Sequence, residues 1–121
     1  MPVTMEEVLA LLDRDEPEYD EATKLGEEAL PHLLTLVEAG EKGLASIAAS
    51  LAGMIQSDRS VDVLESAAKS DEVIVRLAAA ATLRNFTHAP VDHLLDALLG
   101  DDDAGVRRLS LRSAGPRARE S

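Results

Sequence analysis

The chain has 121 residues, a formal net charge of −11 and 45% hydrophobic residues, and it contains no cysteine. This length is enough for one domain with a modest core. The lack of cysteine excludes disulfides and thiolate chemistry. Tyr19 and Phe86 are the only aromatic residues, and β-branched runs are few, so the composition favours packed helices over a sheet.

Charge is spread unevenly along the chain. Residues 1–41 carry a net charge of −10, residues 42–104 carry −5, and residues 105–121 carry +4. An acidic chain repels phosphate backbones, which disfavours nucleic-acid binding. No apolar stretch is long enough to cross a membrane, and the first residues do not resemble a signal peptide. We therefore expect a cytoplasmic protein that binds neither nucleic acid nor a membrane.

Local signals predict three helices in the first third of the chain. Thr4 and Glu7 have the spacing of a capping box, which predicts a helix over 5–12. A second helix is predicted over 19–25, because Gly26 can end it. The third is predicted over 31–39, since proline is favoured in a first turn and Gly40 follows.

The remaining sequence predicts a regular alternation of shorter and longer helices. Their predicted ranges are 42–55, 61–69, 72–86, 91–99 and 104–114. Ser57, Asp58 and Ser60 are predicted to supply the turn and the N-cap for the second of these, and Ser70 and Asp71 are predicted to cap the third. Glycine and proline at 115–116 are expected to end the last helix. The expected organisation is a single domain over 1–116 with a flexible tail over 117–121.

The chain aligns with itself, without a gap, at a fixed spacing of 31 residues. This distance along the sequence is called here the repeat spacing. Two of the coinciding columns are Leu33, Leu64 and Leu95, and Leu44, Val75 and Val106. A repeat of this length is one supersecondary unit that cannot bury its apolar face alone. Successive units are therefore expected to stack on one another, with the face that carries Val75, Ala79, Leu83 and Phe86 in the core.

The second block resembles the HEAT-repeat signature, in which a turn aspartate precedes a Val-Arg pair and small residues follow on the next helix. The residues that carry this resemblance are Asp71, Val75, Arg76, Ala79, Ala80 and Leu83. Asp102, Val106 and Arg107 repeat the first part in the third block. The resemblance implies an all-α fold, a right-handed α-solenoid of antiparallel helix pairs with about three to four repeats.

In HEAT proteins the turn aspartate and this arginine form a ladder between neighbouring units. The resemblance therefore implies contacts such as Asp71 with Arg107, or Asp102 with Arg76. The first block lacks both members of the pair, as is common for a terminal unit.

The resemblance also indicates a binding surface, because the second helix of each HEAT unit lines the concave side. The residues expected to bind a partner there are Leu77, Ala81, Arg84, Arg108 and Arg112. Such a row would form a groove that becomes basic towards its end and docks a peptide or helix of complementary charge. The expected function is a non-catalytic protein- or peptide-binding scaffold module.

Two other functions remain open. An acidic inhibitor or immunity-like protein would cover a basic partner with Glu16, Glu18, Asp20, Glu21, Glu27 and Glu28. A chromophore lyase, or a subunit of one, is the other, because short HEAT-type proteins include such enzymes. His93 and Asp96 lie three residues apart on one predicted helix, a spacing that charged surface helices often produce. No catalytic, metal-ligating or cofactor-binding residue is predicted, because no motif for such a site is present.

The last predicted helix carries Val106, Leu109 and Leu111, and no polar cap follows it. Three units are close to the minimum for a stable stack. We therefore expect this C-terminal end to be covered, either by a partner or by a second copy in a homodimer.

Overall fold

The computed structural model describes residues 2–86 and 91–120, with side chains up to Gly115. Every regular element in this part of the chain is helical. The α-helices are α1 (Met5–Leu12), α2 (Tyr19–Thr23), α3 (Leu30–Ala39), α4 (Lys42–Met54), α5 (Ser60–Ala68), α6 (Val73–Thr82), α7 (Asp92–Leu99) and α8 (Ala104–Glu120). Two short 3₁₀ segments, Gly26–Ala29 and Leu83–Asn85, precede α3 and follow α6.

The signals at the start of the chain act as the sequence predicts. Thr4 Oγ1 accepts a hydrogen bond from the Glu7 backbone N–H at 3.2 Å, which caps α1. Pro31 lies in the first turn of α3, where a missing N–H costs no helical hydrogen bond. Gly40 ends α3 with a φ of 80°, a left-handed conformation that glycine adopts without steric cost.

Two predicted helix caps are wrong. Ser60 lies inside α5 and is fully buried, and its hydroxyl donates to the Ile55 carbonyl instead of capping the helix. The N-cap of α6 is Glu72, one residue after Asp71, and Ser70 Oγ accepts from the Glu72 N–H at 3.1 Å. In both cases the serine hydroxyl forms a hydrogen bond with a backbone group of the turn that precedes the helix. The helix therefore begins at a different residue from the one predicted.

The helices from α3 onwards pack as pairs, α3 with α4, α5 with α6, and α7 with α8. Short turns join the two helices of each pair, which therefore run antiparallel. Neighbouring pairs contact through α3, α5 and α7, called here the first-helix row, and through α4, α6 and α8, called the second-helix row. This arrangement lays residues that are one repeat spacing apart side by side.

The predicted core face is buried. Val75, Ala79, Leu83 and Phe86 are each at most 4% exposed, and the column of Leu33, Leu64 and Leu95 is buried along its length. The column of Val75 and Val106 is buried too, whereas Leu44 is half-buried. On its amino-terminal side α4 contacts α1 and the short α2, rather than a preceding helix pair.

Small residues allow α4 and α6 to approach closely. The buried residues of α4 are Ala45, Ala48, Ala49, Leu51, Ala52 and Gly53. A Cβ atom added to Gly53 would overlap the side chain of Thr82, so no side chain fits there. The Asn85 side-chain amide donates to the Gly53 carbonyl and to Thr82 Oγ1, both at 3.2 Å. Glycine is therefore required at this position of the seam.

The end of the chain differs in one respect from the prediction. Gly115 leaves helical geometry, with a φ of 39° and a ψ of −120°, as the predicted helix end requires. Helical turns resume beyond it, and α8 extends to Glu120 with a kink at Gly115. The start signal predicted at 87–90 lies outside the described residues.

Candidate partner-binding groove

A groove of about 310 Å³ runs along the second-helix row. It is lined by residues of α2, α4, α6 and α8, namely Tyr19, Ser46, Ile47, Ser50, Ile74, Leu77, Ala78, Ala81 and Leu109. The groove therefore spans all three helix pairs and reaches the short helix that precedes them.

The repeat itself builds this groove. Ile74, Leu77, Ala78 and Ala81 lie at positions i, i+3, i+4 and i+7, which is one face of α6. Three lining residues of α4 lie one repeat spacing before three of those on α6, namely Ser46 before Leu77, Ile47 before Ala78 and Ser50 before Ala81. Leu109 of α8 lies one repeat spacing after Ala78. α4 and α6 thus present the same three columns to the groove, and α8 presents one of them.

The groove exposes mainly apolar atoms. Ile74 is 50% exposed, whereas Leu77, Leu109 and Ile47 are half-buried. Leu77 lies over the start of α8, where a Cβ added to Gly105 would be 3.4 Å from Leu77 Cδ2. The result is an accessible apolar floor that crosses from one helix pair to the next.

Tyr19 closes the amino-terminal end of the groove. It is half-buried, and this burial raises the pKa of its phenol above the ordinary value of 10.0. The shift follows from desolvation, which disfavours the phenolate.

The five residues predicted to bind a partner fall into two groups. Leu77 and Ala81 line the groove. Arg108 and Arg112 occupy the same two columns on α8, but both are exposed and outside the lining residues. Arg84 is exposed in the 3₁₀ segment after α6, also outside the lining.

Besides Ala78, four larger apolar residues of the groove were not predicted from the sequence. They are Tyr19, Ile47, Ile74 and Leu109. Three of them lie one residue or one helical turn from the columns chosen for Leu77 and Ala81. Taking the whole i, i+3, i+4, i+7 face would have included these three, whereas Tyr19 lies outside the repeat and gives no such signal.

A mostly buried ion pair links the second and third helix pairs. Arg76 Nε donates to Asp101 Oδ2 at 2.9 Å, and Arg76 Nη1 donates to the Ser70 carbonyl at 2.8 Å. The two side chains are only 16% and 11% exposed. The carboxylate is Asp101 rather than the predicted Asp102, because the Asp103 N–H fixes Asp101 Oδ1 at 2.9 Å while Asp102 is exposed.

The other predicted contact, between Asp71 and Arg107, does not form. Arg107 Nη1 donates to the carbonyls of Asp101 and Asp102, at 2.7 and 2.9 Å. The first bond matches that of Arg76 to Ser70, one repeat spacing earlier in the chain. Arg76 and Arg107 thus each bind a carbonyl of their own turn, and Arg76 also reaches the turn of the following pair. Asp71 lies in the turn of the second pair, which precedes the pair that carries Arg107. Arg76 contacts the turn of the following pair, so Asp71 is on the opposite side of Arg107 from the one this contact would require.

The other candidate pair, His93 and Asp96, does not interact. His93 Nε2 lies 3.3 Å from Glu65 Oε2, so it links α7 to α5 instead. Among the residues that the structure describes, no group of three or more histidines and carboxylates is arranged to hold a metal ion. The described part of the chain likewise holds no helix with both the length and the apolar character needed to cross a bilayer.

Charge differs between the two ends of the groove. The acidic residues around Tyr19 and in the following segment are all exposed, namely Glu16, Glu18, Asp20, Glu21, Glu27 and Glu28. Two of them face local cations, Glu18 at 3.8 Å from Arg14 and Glu21 at 3.1 Å from Lys24. At the other end, α8 carries exposed arginines. The groove therefore lies between an acidic and a basic surface.

Comparison with protein families finds a model for HEAT repeats that matches residues 30–115, more than half of the chain. No curated protein and no solved structure matches it significantly.

Proposed function

Because the chain belongs to the HEAT-repeat family, we propose that it is a non-catalytic module that binds a protein or peptide in the groove of its second-helix row. HEAT repeats commonly act as protein-interaction scaffolds. The proposal takes the units to form a right-handed solenoid of three to four repeats, whose curved side offers an extended surface to a partner.

The observation that carries this proposal is the accessible apolar floor of the groove. Ile74 leaves half of its surface in water, and Leu77 and Leu109 continue the apolar surface beside it. Contiguous exposed apolar surface with a polar rim is typical of interaction sites. An amphipathic helix fits this surface, since its apolar face can cover these residues at spacings of three and four.

The charges at the two ends of the groove favour one orientation of the proposed ligand. Arg108 and Arg112 favour an acidic segment over α8, and the carboxylates next to Tyr19 favour a basic segment at the opposite end. Charges at the rim of an interface contribute more to orientation and association rate than to affinity.

The test is a peptide selection followed by a matched pair of variants. Peptides selected from a displayed library of helical sequences are titrated against wild-type protein, Ile74→Asp and Met54→Asp. Ile74 and Met54 are both exposed, at 50% and 42%, but only Ile74 lines the groove. We expect Ile74→Asp to weaken binding by about tenfold or more, because a carboxylate would be desolvated against the ligand. Equal effects of the two variants would refute the groove as the binding site.

The second candidate function, an acidic inhibitor that covers a basic partner, is favoured by the exposure of its six carboxylates. A lysine-rich peptide is a suitable probe. If this surface binds it, the association rate falls steeply as salt shortens the Debye length from about 10 Å at 0.1 M to about 3 Å at 1 M. Binding in the apolar groove would persist over this range. Chromophore attachment stays a prediction that no observation in the structure favours.

A further inference from the structure

The outer side of the last helix pair carries residues whose counterparts pack between pairs elsewhere. Ala80 shows this for the second-helix row, because it is fully buried and its carbonyl accepts a hydrogen bond from Ser113 of α8 at 2.6 Å. This column therefore faces the following pair. On α8 the same column holds Leu111, which is 59% exposed.

Arg107 is a charged residue on the outer side of the last pair whose counterpart, Arg76, contacts the following pair. Its counterpart Arg76 bonds a carbonyl of its own turn and a carboxylate, that of Asp101, in the following pair. Arg107 makes the matching carbonyl bond, but its side chain is exposed and pairs with no carboxylate among the described residues. Its guanidinium edge is thus available to an anionic group from outside.

Asp96 supplies the opposite charge on the same outer side. Its counterpart on α5 is Glu65, which lies 3.3 Å from His93 of the following pair, so this column also faces outwards along the stack. Asp96 is exposed and forms no ion pair within the described part of the chain. Asp96, Arg107 and Leu111 together are called the terminal face.

We propose that the terminal face binds the terminal face of a second copy of this chain, as a two-fold symmetric dimer. Arg107 of each copy pairs with Asp96 of the other, and the contact covers both Leu111 side chains. The proposal is independent of ligand binding in the groove.

The relative positions of the two charges set the symmetry. Asp96 lies in the last turn of α7 and Arg107 in the first turn of α8, so both are beside the connecting turn at the same level. A two-fold axis parallel to the helices places α7 of one copy opposite α8 of the other. Both charge pairs then form at once. An axis across the helices at this level would place Asp96 opposite Asp96, which charge repulsion opposes.

Charge also selects a second copy in this arrangement over a head-to-tail stack. In a head-to-tail contact the terminal face would meet the amino-terminal surface, where residues 1–41 carry a net charge of −10. Arg107 would find carboxylates there, but Asp96 would face like charge. The face-to-face contact satisfies both residues, and closed two-fold dimers are the commonest oligomers.

Sedimentation equilibrium from roughly 1 μM to 1 mM tests the dimer with Asp96→Arg, Arg107→Glu and the control Arg108→Glu. Each of the first two variants creates two like-charge contacts, and we expect its dissociation constant to rise by about a hundredfold or more. Arg108 is an exposed neighbour in a groove column, so its variant should dimerise as the wild type does.

Charge complementation provides the decisive measurement. In an equimolar mixture of Asp96→Arg and Arg107→Glu, both contacts pair opposite charges, so a heterodimer should form from two monomeric variants. The double variant should dimerise with itself for the same reason. Circular dichroism checks folding, and Asp96→Arg breaks no hydrogen bond of the described residues. The proposal would be refuted if the wild type stayed monomeric at all concentrations or assembled into long polymers. It would also be refuted if these substitutions left the dissociation constant of the dimer unchanged.

Discussion

At the scale of single residues, Arg76 and Asp101 form an ion pair between the second and third helix pairs. Each is mostly buried, and each has a second hydrogen bond, to the Ser70 carbonyl and from the Asp103 N–H. A buried charged group that loses its partner pays a desolvation cost without compensation. Removal of either partner is therefore expected to be costly.

Arg76→Ala is expected to lower the free energy of unfolding by about 1–3 kcal/mol, because Asp101 and the Ser70 carbonyl both lose a donor. Urea denaturation followed by circular dichroism measures this change. Arg112→Ala is the control, since Arg112 is exposed, and its effect should stay within about 0.5 kcal/mol. Similar losses in the two variants would mean that the ion pair does not hold the units together.

Tyr19 gives a prediction that depends on pH. Burial raises the pKa of its phenol above 10.0, so the folded chain holds this proton more tightly than the unfolded chain. The resulting stabilisation is complete below pH 10.0 and is lost as the pH rises through the pKa of the folded state. Tyr19 is the single tyrosine, so ultraviolet absorbance of the phenolate follows it directly. A midpoint equal to that of the urea-unfolded chain would contradict the burial.

At the scale of helices, close approach of α4 and α6 depends on Gly53. A methyl group there would overlap Thr82, which is 7% exposed and accepts a hydrogen bond from Asn85. Neither helix can move apart without disturbing the buried alanines beside them.

A pair of glycine substitutions within α4 isolates this packing. Gly53→Ala should destabilise the protein by about 1–3 kcal/mol, because the steric cost exceeds the gain in helix propensity. Gly43→Ala is the matched control, as Gly43 is exposed and a Cβ there meets only the Glu41 carboxylate, at 3.3 Å, which caps α4 through the N–H groups of Gly43 and Leu44. Its effect should be smaller than that of Gly53→Ala, because an exposed carboxylate can shift by a few tenths of an ångström whereas buried Thr82 cannot. Thermal unfolding of both variants gives the comparison, and equal losses would refute the tight seam.

The sequence predicts these elements well where the deciding signal is local. The cap at Thr4 and the stop at Gly40 depend on neighbouring residues, and both are found where predicted. The partner of Arg76 was predicted one residue away, because the choice between Asp101 and Asp102 depends on how the turn folds. The contribution of Tyr19 to the groove was not predicted, since it depends on how a helix outside the repeat packs against α4.

At the scale of the whole molecule, contacts between neighbouring pairs run without interruption along both rows. We therefore expect the short stack to unfold in one transition, because no unit buries its apolar face alone. Tyr19 fluorescence reports the amino-terminal end, and far-ultraviolet circular dichroism reports all helices. Their urea midpoints should coincide. An earlier midpoint for Tyr19 would mean that the first helices separate from the rest.

The absence of a side chain at Gly53 has a consequence for ligand size. On the first-helix side, leucine and valine side chains separate neighbouring pairs, whereas beside Gly53 the backbone of α4 directly meets Thr82. α4 and α6 also supply most of the residues that line the groove, whereas Gly53 is not among them. We expect bulk at position 53 to push these two helices apart and to widen the groove. A buried residue outside the lining would then set the breadth of the ligand proposed to bind there.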